Sequence, residues 1–113
     1  MAGFHFTCDR PLARLRISGE LDLATHEQLG DVLVCLALAG CRRVEIDLAA
    51  VTYVDASTLR VLADEQRRLA GSGGTLEVVV ASDAHVLVCG LAGYPGLAPE
   101  PRRPVVGARP RPD

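Results

Sequence analysis

The chain has 113 residues, 49% of them hydrophobic but only 4% aromatic, with no tryptophan and a formal net charge of -2. That length supports one domain around a single core, which must be built from Leu, Val, Ile and Ala. The charge balance excludes a global basic field for nucleic acid, and no apolar run approaches the ~20 residues that cross a bilayer.

The first residues, Met1-Ala-Gly-Phe-His-Phe, lack a basic leader followed by an apolar segment, so the expectation is a cytoplasmic protein. Four cysteines (Cys8, Cys35, Cys41, Cys89) are scattered with no Cys-x-x-Cys pair. In a reducing compartment they are expected as buried or half-buried thiols. A regulatory disulfide drawn from Cys8, Cys41 or Cys89 is the sharper alternative.

Phe4-His-Phe-Thr-Cys8 alternates apolar and polar residues and reads as a strand. Asp9-Arg-Pro11 turns the chain, and Leu12–Ser18 alternates again, giving a hairpin. Thr25-His-Glu-Gln28 fits a capping box, which would open a helix through Leu29, Val32, Leu33 and Leu36 to Gly40 and leave His26 exposed in its first turn. Asp22 falls on the loop before it. Cys41–Leu48 reads as the third strand, with Glu45 and Asp47 making its second face unusually polar.

Val51-Thr-Tyr-Val-Asp-Ala-Ser-Thr-Leu59 is the stretch on which the rest depends. A strand ends, Asp55 is a natural N-cap, and Ser57 and Thr58 fall in the first turn of an amphipathic helix, exposed at the rim of a sheet. That helix runs to Gly71-Ser-Gly-Gly74. These glycines follow a helix and precede a strand, the wrong place for a phosphate-cradling loop, so they form a C-cap and turn. Thr75–Ala81 is a fourth strand expected to be buried on both faces at Val78 to Val80. Ser82 and Asp83 cap a last helix, Ala84 to Leu91, with His85 in its first turn and Gly93 at its end. Residues 1–94 therefore form the domain. Residues 95–113 hold six of the seven prolines together with Arg102, Arg103, Arg109 and Arg111, which reads as a Pro/Arg-rich flexible tail with Leu97 as its pin.

A hairpin followed by strand–helix alternation gives an α/β fold: one mixed sheet with parallel right-handed crossovers and helices mainly on one face. Sites in such sheets gather at the carboxyl ends of strands, where Asp22 and the Asp55 turn both lie. No Ser-His-Asp set, Cys-His pair, metal-ligand cluster or nucleotide loop emerges, so the residues argue against an enzyme and imply no cofactor.

Ile17-Ser-Gly-Glu-Leu-Asp22, Val44-Glu-Ile-Asp-Leu48 and the Val51–Leu59 stretch, in this order and spacing, resemble the STAS-domain family of bacterial anti-sigma factor antagonists over roughly Phe4 to Gly93. The resemblance implies a protein that binds a serine/threonine-kinase-type anti-sigma factor and thereby frees a sigma factor, with Asp22, Asp55, Ser57, Thr58 and Arg60 at the contact. It implies no direct contact with nucleic acid and no membrane span. In the family a Ser or Thr directly after the aspartate is phosphorylated to switch binding off. Here that position is Ala56, which has no hydroxyl, and Thr58 stands where the family has glycine. The expectation is binding without the usual switch, with Ser57 as the alternative phosphorylation candidate. The competing reading is an accessory STAS subunit of another assembly such as a lipid-transport ATPase complex. Absence of a terminal helix would expose apolar surface, so a homodimer is the remaining partner to consider.

Overall fold

The structure is a computed structural model and describes residues 2–99. Four strands, β1 (Ala2–Asp9), β2 (Leu12–Leu21), β3 (Arg43–Val54) and β4 (Thr75–Ala81), alternate with three helices, α1 (His26–Leu38), α2 (Ala56–Gly71) and α3 (Asp83–Ala92). The sheet order is β1-β2-β3-β4. β1 and β2 form the antiparallel hairpin, and the β2/β3 and β3/β4 pairs are parallel. This is the mixed α/β sheet that the strand–helix alternation implied.

β2 and β3 exceed their expected lengths for identifiable reasons. β2 continues past Ser18 to Leu21 because Gly19 adopts a φ of 89°, open to a residue without Cβ, and the register against β3 shifts on either side of it. β3 starts at Arg43 rather than Cys41 and runs unbroken to Val54, with Asp47 Oδ1 accepting the Ala49 N–H at 2.8 Å. Alternation places Ala13, Leu15 and Ile17 of β2 with Val44, Ile46 and Leu48 of β3 on the buried face. Leu29, Leu33 and Leu36 of α1 and Leu59, Leu62 and Leu69 of α2 complete this core.

The other face explains the polar positions of β3. Arg14 and Arg16 stand beside Glu45 and Asp47 in register, and Arg14 Nε lies 3.4 Å from Glu45. A shallow cavity of about 620 Å³ opens over these groups and His5, far down the strands from the rim where Asp55 lies. Arg14 and Arg16 are exposed, Glu45 and Asp47 are half-buried, Arg14 pairs with Glu45 and Asp47 is held by the Ala49 N–H, which suits a solvated sheet face better than a ligand site. β4 is an edge strand, so only Val78 is fully buried, Val79 is half-buried and Val80 is exposed, contrary to the expectation of burial on both sides.

Two further expectations are revised. α1 opens at His26 without a side-chain cap from Thr25, because Thr25 is spent on a tighter turn over Leu23–Thr25. Cys8 and Cys41 are joined in a disulfide that ties the hairpin to the start of β3, while Cys35 is an exposed thiol and Cys89 a buried one. His85 lies in the first turn of α3 as expected, and its side chain is fully buried. After Gly93, which caps α3 at a φ of 81°, residues Pro95–Leu97 form a short 3-10 turn and Leu97 is buried in the core. Gln66 fixes that turn by donating to the carbonyls of Leu76 at 3.0 Å and Gly96 at 3.2 Å. Residues 100–113 of the expected tail lie outside the described residues.

Candidate partner-binding site

β3 delivers Asp55 to the rim in an extended conformation (φ -107°, ψ 166°), so its side chain turns back over the first turn of α2. Asp55 Oδ1 accepts the Thr58 N–H at 2.8 Å, the Thr58 hydroxyl at 2.8 Å and the Ser57 hydroxyl at 2.9 Å. Burial opposes ionisation of this carboxyl, but the hydrogen bonds from Thr58 and Ser57, with His26 nearby, outweigh it and hold Asp55 below the usual carboxylate range.

The turn is anchored to β2. Leu21 accepts the Asp55 N–H at 3.2 Å, and Thr58 Oγ1 lies 3.1 Å from the same carbonyl. The next residue, Asp22, caps the Leu23–Thr25 turn: its Oδ1 accepts the Ala24 N–H at 3.1 Å, and Thr25 Oγ1 donates to its carbonyl at 3.0 Å. The ends of β2 and β3 therefore form one rim, with two capped turns side by side.

Within this rim Asp22 and Asp55 are half-buried, and Ala56, Ser57 and Arg60 are exposed. Thr58 does not face solvent as its first-turn position implied. It is fully buried, and its hydroxyl supports the turn from beneath. Leu23, in the turn after β2, and Tyr53, near the end of β3, are exposed apolar residues at 74% and 51% beside these polar groups. Such apolar anchors among polar neighbours suit a protein partner. Sequence patterning had no reason to single them out, because both sit outside the regular apolar periodicity.

His26 is the other residue that the sequence placed elsewhere. Its Nε2 lies 3.0 Å from Thr58 Oγ1 and 3.3 Å from Ser57 Oγ, and 3.9 Å from Asp55 Oδ1. Serine, histidine and aspartate thus meet, but not in the wiring of a nucleophilic triad. There the carboxylate orients the ring nitrogen remote from the nucleophile. Here Asp55 accepts from Ser57 itself and approaches the same Nε2 that faces the hydroxyls.

The family model described as "Mlab, STAS domain" matches residues 6–93. The chain belongs to the STAS-domain family. Solved structures agree on the fold. The anti-sigma factor antagonist SpoIIAA in its unphosphorylated form superposes with a TM-score of 0.73 at 17% identity, over 88% of this chain and 89% of that one. An anti-sigma factor antagonist from Mycobacterium paratuberculosis gives 0.72 at 22% identity, over 82% and 79%. The Bacillus cell fate determinant SpoIIAA in the phosphorylated form gives 0.68 at 18%, over 88% and 92%. At these identities the likeness is one of architecture, so the role of this STAS domain is argued from its own rim.

Proposed function

We propose that this STAS domain is an anti-sigma factor antagonist. It acts in the cytoplasm without catalysis, binding a kinase-type anti-sigma factor through the Asp22 and Asp55 rim and so freeing a sigma factor for transcription. The observation that carries the reading is the closed Asp55 turn, with Ala56 and Ser57 exposed at its tip and Thr58 locked beneath. Asp22, Asp55, Ser57 and Arg60 supply the polar contact, and Thr58 holds its shape. The Ala56 methyl cannot take a phosphate, so binding persists where a hydroxyl would let a kinase add about -1.5 to -2 charges beside Asp55.

Alanine at this position also supports a second reading, an accessory STAS subunit of a lipid-transport ATPase complex, which needs no kinase. Pull-down against the host's anti-sigma factors separates the two. Binding that is lost in Asp55→Lys supports antagonism, whereas recovery of a transporter ATPase alone favours the accessory role. Incubation with the bound anti-sigma kinase and ATP then tests the switch. No mass gain is expected, and a phosphate on Ser57 that disappears in Ser57→Ala would refute constitutive binding.

A further inference from the structure

The hydrogen bonds around His26 can be resolved by counting protons. The Ser57 and Thr58 hydroxyls have one proton each to donate. Asp55 Oδ1 lies 2.9 Å from the first and 2.8 Å from the second, and an ionised carboxylate is a stronger acceptor than a neutral carbonyl or ring nitrogen. Both protons therefore go to Asp55. The Leu21 carbonyl, 3.1 Å from Thr58 Oγ1, is the competing acceptor, and donation there would equally leave the hydroxyl oxygen facing the ring as an acceptor. With those protons committed, the hydroxyl oxygens face the ring only as acceptors. His26 Nε2 must carry hydrogen and donate to Thr58 Oγ1 at 3.0 Å. Protonation of the other ring nitrogen leaves that bond intact and puts a positive charge 3.9 Å from the Asp55 carboxylate.

We infer that His26 is a positioning residue of the binding turn and that its protonation sets the charge the turn presents to a partner. The inference rests on the rim being the binding surface and deepens that reading by naming a signal. At higher pH the turn shows a carboxylate beside a neutral ring, and at lower pH it shows an ion pair. Histidine is the side chain type that most often serves as a protonation switch in proteins. It gives a charge step at the turn where Ala56 offers no phosphate acceptor. The partner that fits carries a cationic group opposite Asp55, held at higher pH and released on acidification.

Across the α1–α2 contact the charged group facing the ring is Asp55, and Arg60 is exposed one turn further along α2. On the ring's own side, the Asp22 carboxylate is engaged by the Ala24 N–H and Glu27 is exposed. Among the described residues, Ser57 and Thr58 are the other polar groups in contact with the ring.

The test begins with the free protein. Ring nitrogen shifts of His26 and backbone amide shifts of residues 55–58 are followed by NMR between about pH 5 and 8 in wild type and His26→Gln. The glutamine amide can still donate to Thr58 but does not titrate. In wild type the turn's amides should follow a one-proton step coincident with the ring, and His26→Gln should lose that step while keeping the folded spectrum. Turn amides that ignore the ring, or that show the same step in the variant, overturn the inference. A second arm measures affinity for the anti-sigma factor recovered by pull-down. Acidification should weaken wild-type binding roughly fivefold and leave His26→Gln flat. A parallel change in both proteins sinks the proposal. If no anti-sigma factor binds at any pH, the antagonist reading fails, and the free-protein titration still decides the role of His26.

Discussion

His85 Nε2 donates to the Leu97 carbonyl at 2.8 Å, and both residues are buried, so α3 holds the Pro95–Leu97 turn in place. The same nitrogen lies 3.2 Å from Cys89 Sγ, and Nδ1 is buried without a partner among the described residues. Burial pushes the His85 pKa down, only partly offset by the bond to Leu97. The unfolded chain therefore takes up this proton before the folded one as pH falls. The stability associated with neutral His85 is complete above the ordinary histidine range and is lost as pH falls through it toward the depressed folded value. Urea unfolding between about pH 7 and 5 should show stability declining by up to about 1.4 kcal/mol per pH unit from this group. His85→Leu should flatten that portion of the slope, at the cost of leaving the Leu97 carbonyl unpaired. An unchanged slope would show that the proton is taken up elsewhere.

Gly74 is fixed by backbone proximity. A Cβ built there would lie 2.4 Å from the Arg42 carbonyl oxygen, which also accepts the Thr75 N–H at 2.8 Å. The Gly74 N–H itself is held by the Leu69 carbonyl at 2.8 Å, so the strand cannot slide away without breaking the α2 exit. Gly74→Ala should destabilise the domain by about 1–3 kcal/mol, read as a lower urea midpoint with an unchanged slope. Gly71→Ala is the control, because nothing lies within 4 Å of its added carbon. It should be neutral or slightly stabilising, since alanine is the better helix former.

Where these residues act depends on how much of their environment the sequence encodes locally. The alternation of Leu12–Ser18 and the apolar spacing of α2 state their own buried faces, and Asp55 before a helical run states its own cap. The capping box illustrates the limit. Thr25-His-Glu-Gln28 fits the pattern, but Asp22 competes for the same residues and wins by reciprocal bonds with Thr25. That shift brings His26 to the first helical position and toward α2, a contact 32 residues away in sequence that no local pattern reports. Thr58 follows the same logic. Its burial comes from Leu21 on the neighbouring strand, so a hydroxyl legible as a first-turn residue was not legible as an internal one. The edge position of β4 likewise depends on sheet order, which the run Val78-Val-Val80 does not contain.

The four cysteines should separate into three chemical classes. Cys8 and Cys41 are disulfide-bonded, Cys35 is an exposed thiol on α1, and burial pushes the Cys89 thiol pKa up. The thiolate is the reactive form, so Cys89 is shielded twice, by access and by protonation. Iodoacetamide added to the native protein without reductant should label Cys35 alone. Denaturation should add Cys89, and only reduction should release Cys8 and Cys41. Peptide mapping by mass spectrometry reads all three, and labelling of Cys8 before reduction would show that the bridge is not formed in solution.

Asp55 has a structural role and a recognition role that two substitutions can separate. As N-cap and hub it accepts one N–H and two hydroxyls, so Asp55→Ala should cost about 1–2 kcal/mol of stability. Asparagine caps a helix about as well as aspartate, so Asp55→Asn should keep most of that stability while removing the charge. Because the folded-state pKa of Asp55 is depressed, its ionised form contributes stability above the ordinary carboxylate range, and that contribution is lost as pH falls toward the depressed value. Asp55→Asn should therefore lose part of the acid-side dependence below about pH 4 that wild type shows. If the carboxylate is also the group a cationic partner meets, Asp55→Asn should weaken anti-sigma factor binding about tenfold or more despite its near-native urea midpoint. Binding that tracks stability across Asp55→Ala and Asp55→Asn would instead assign the residue to the fold alone.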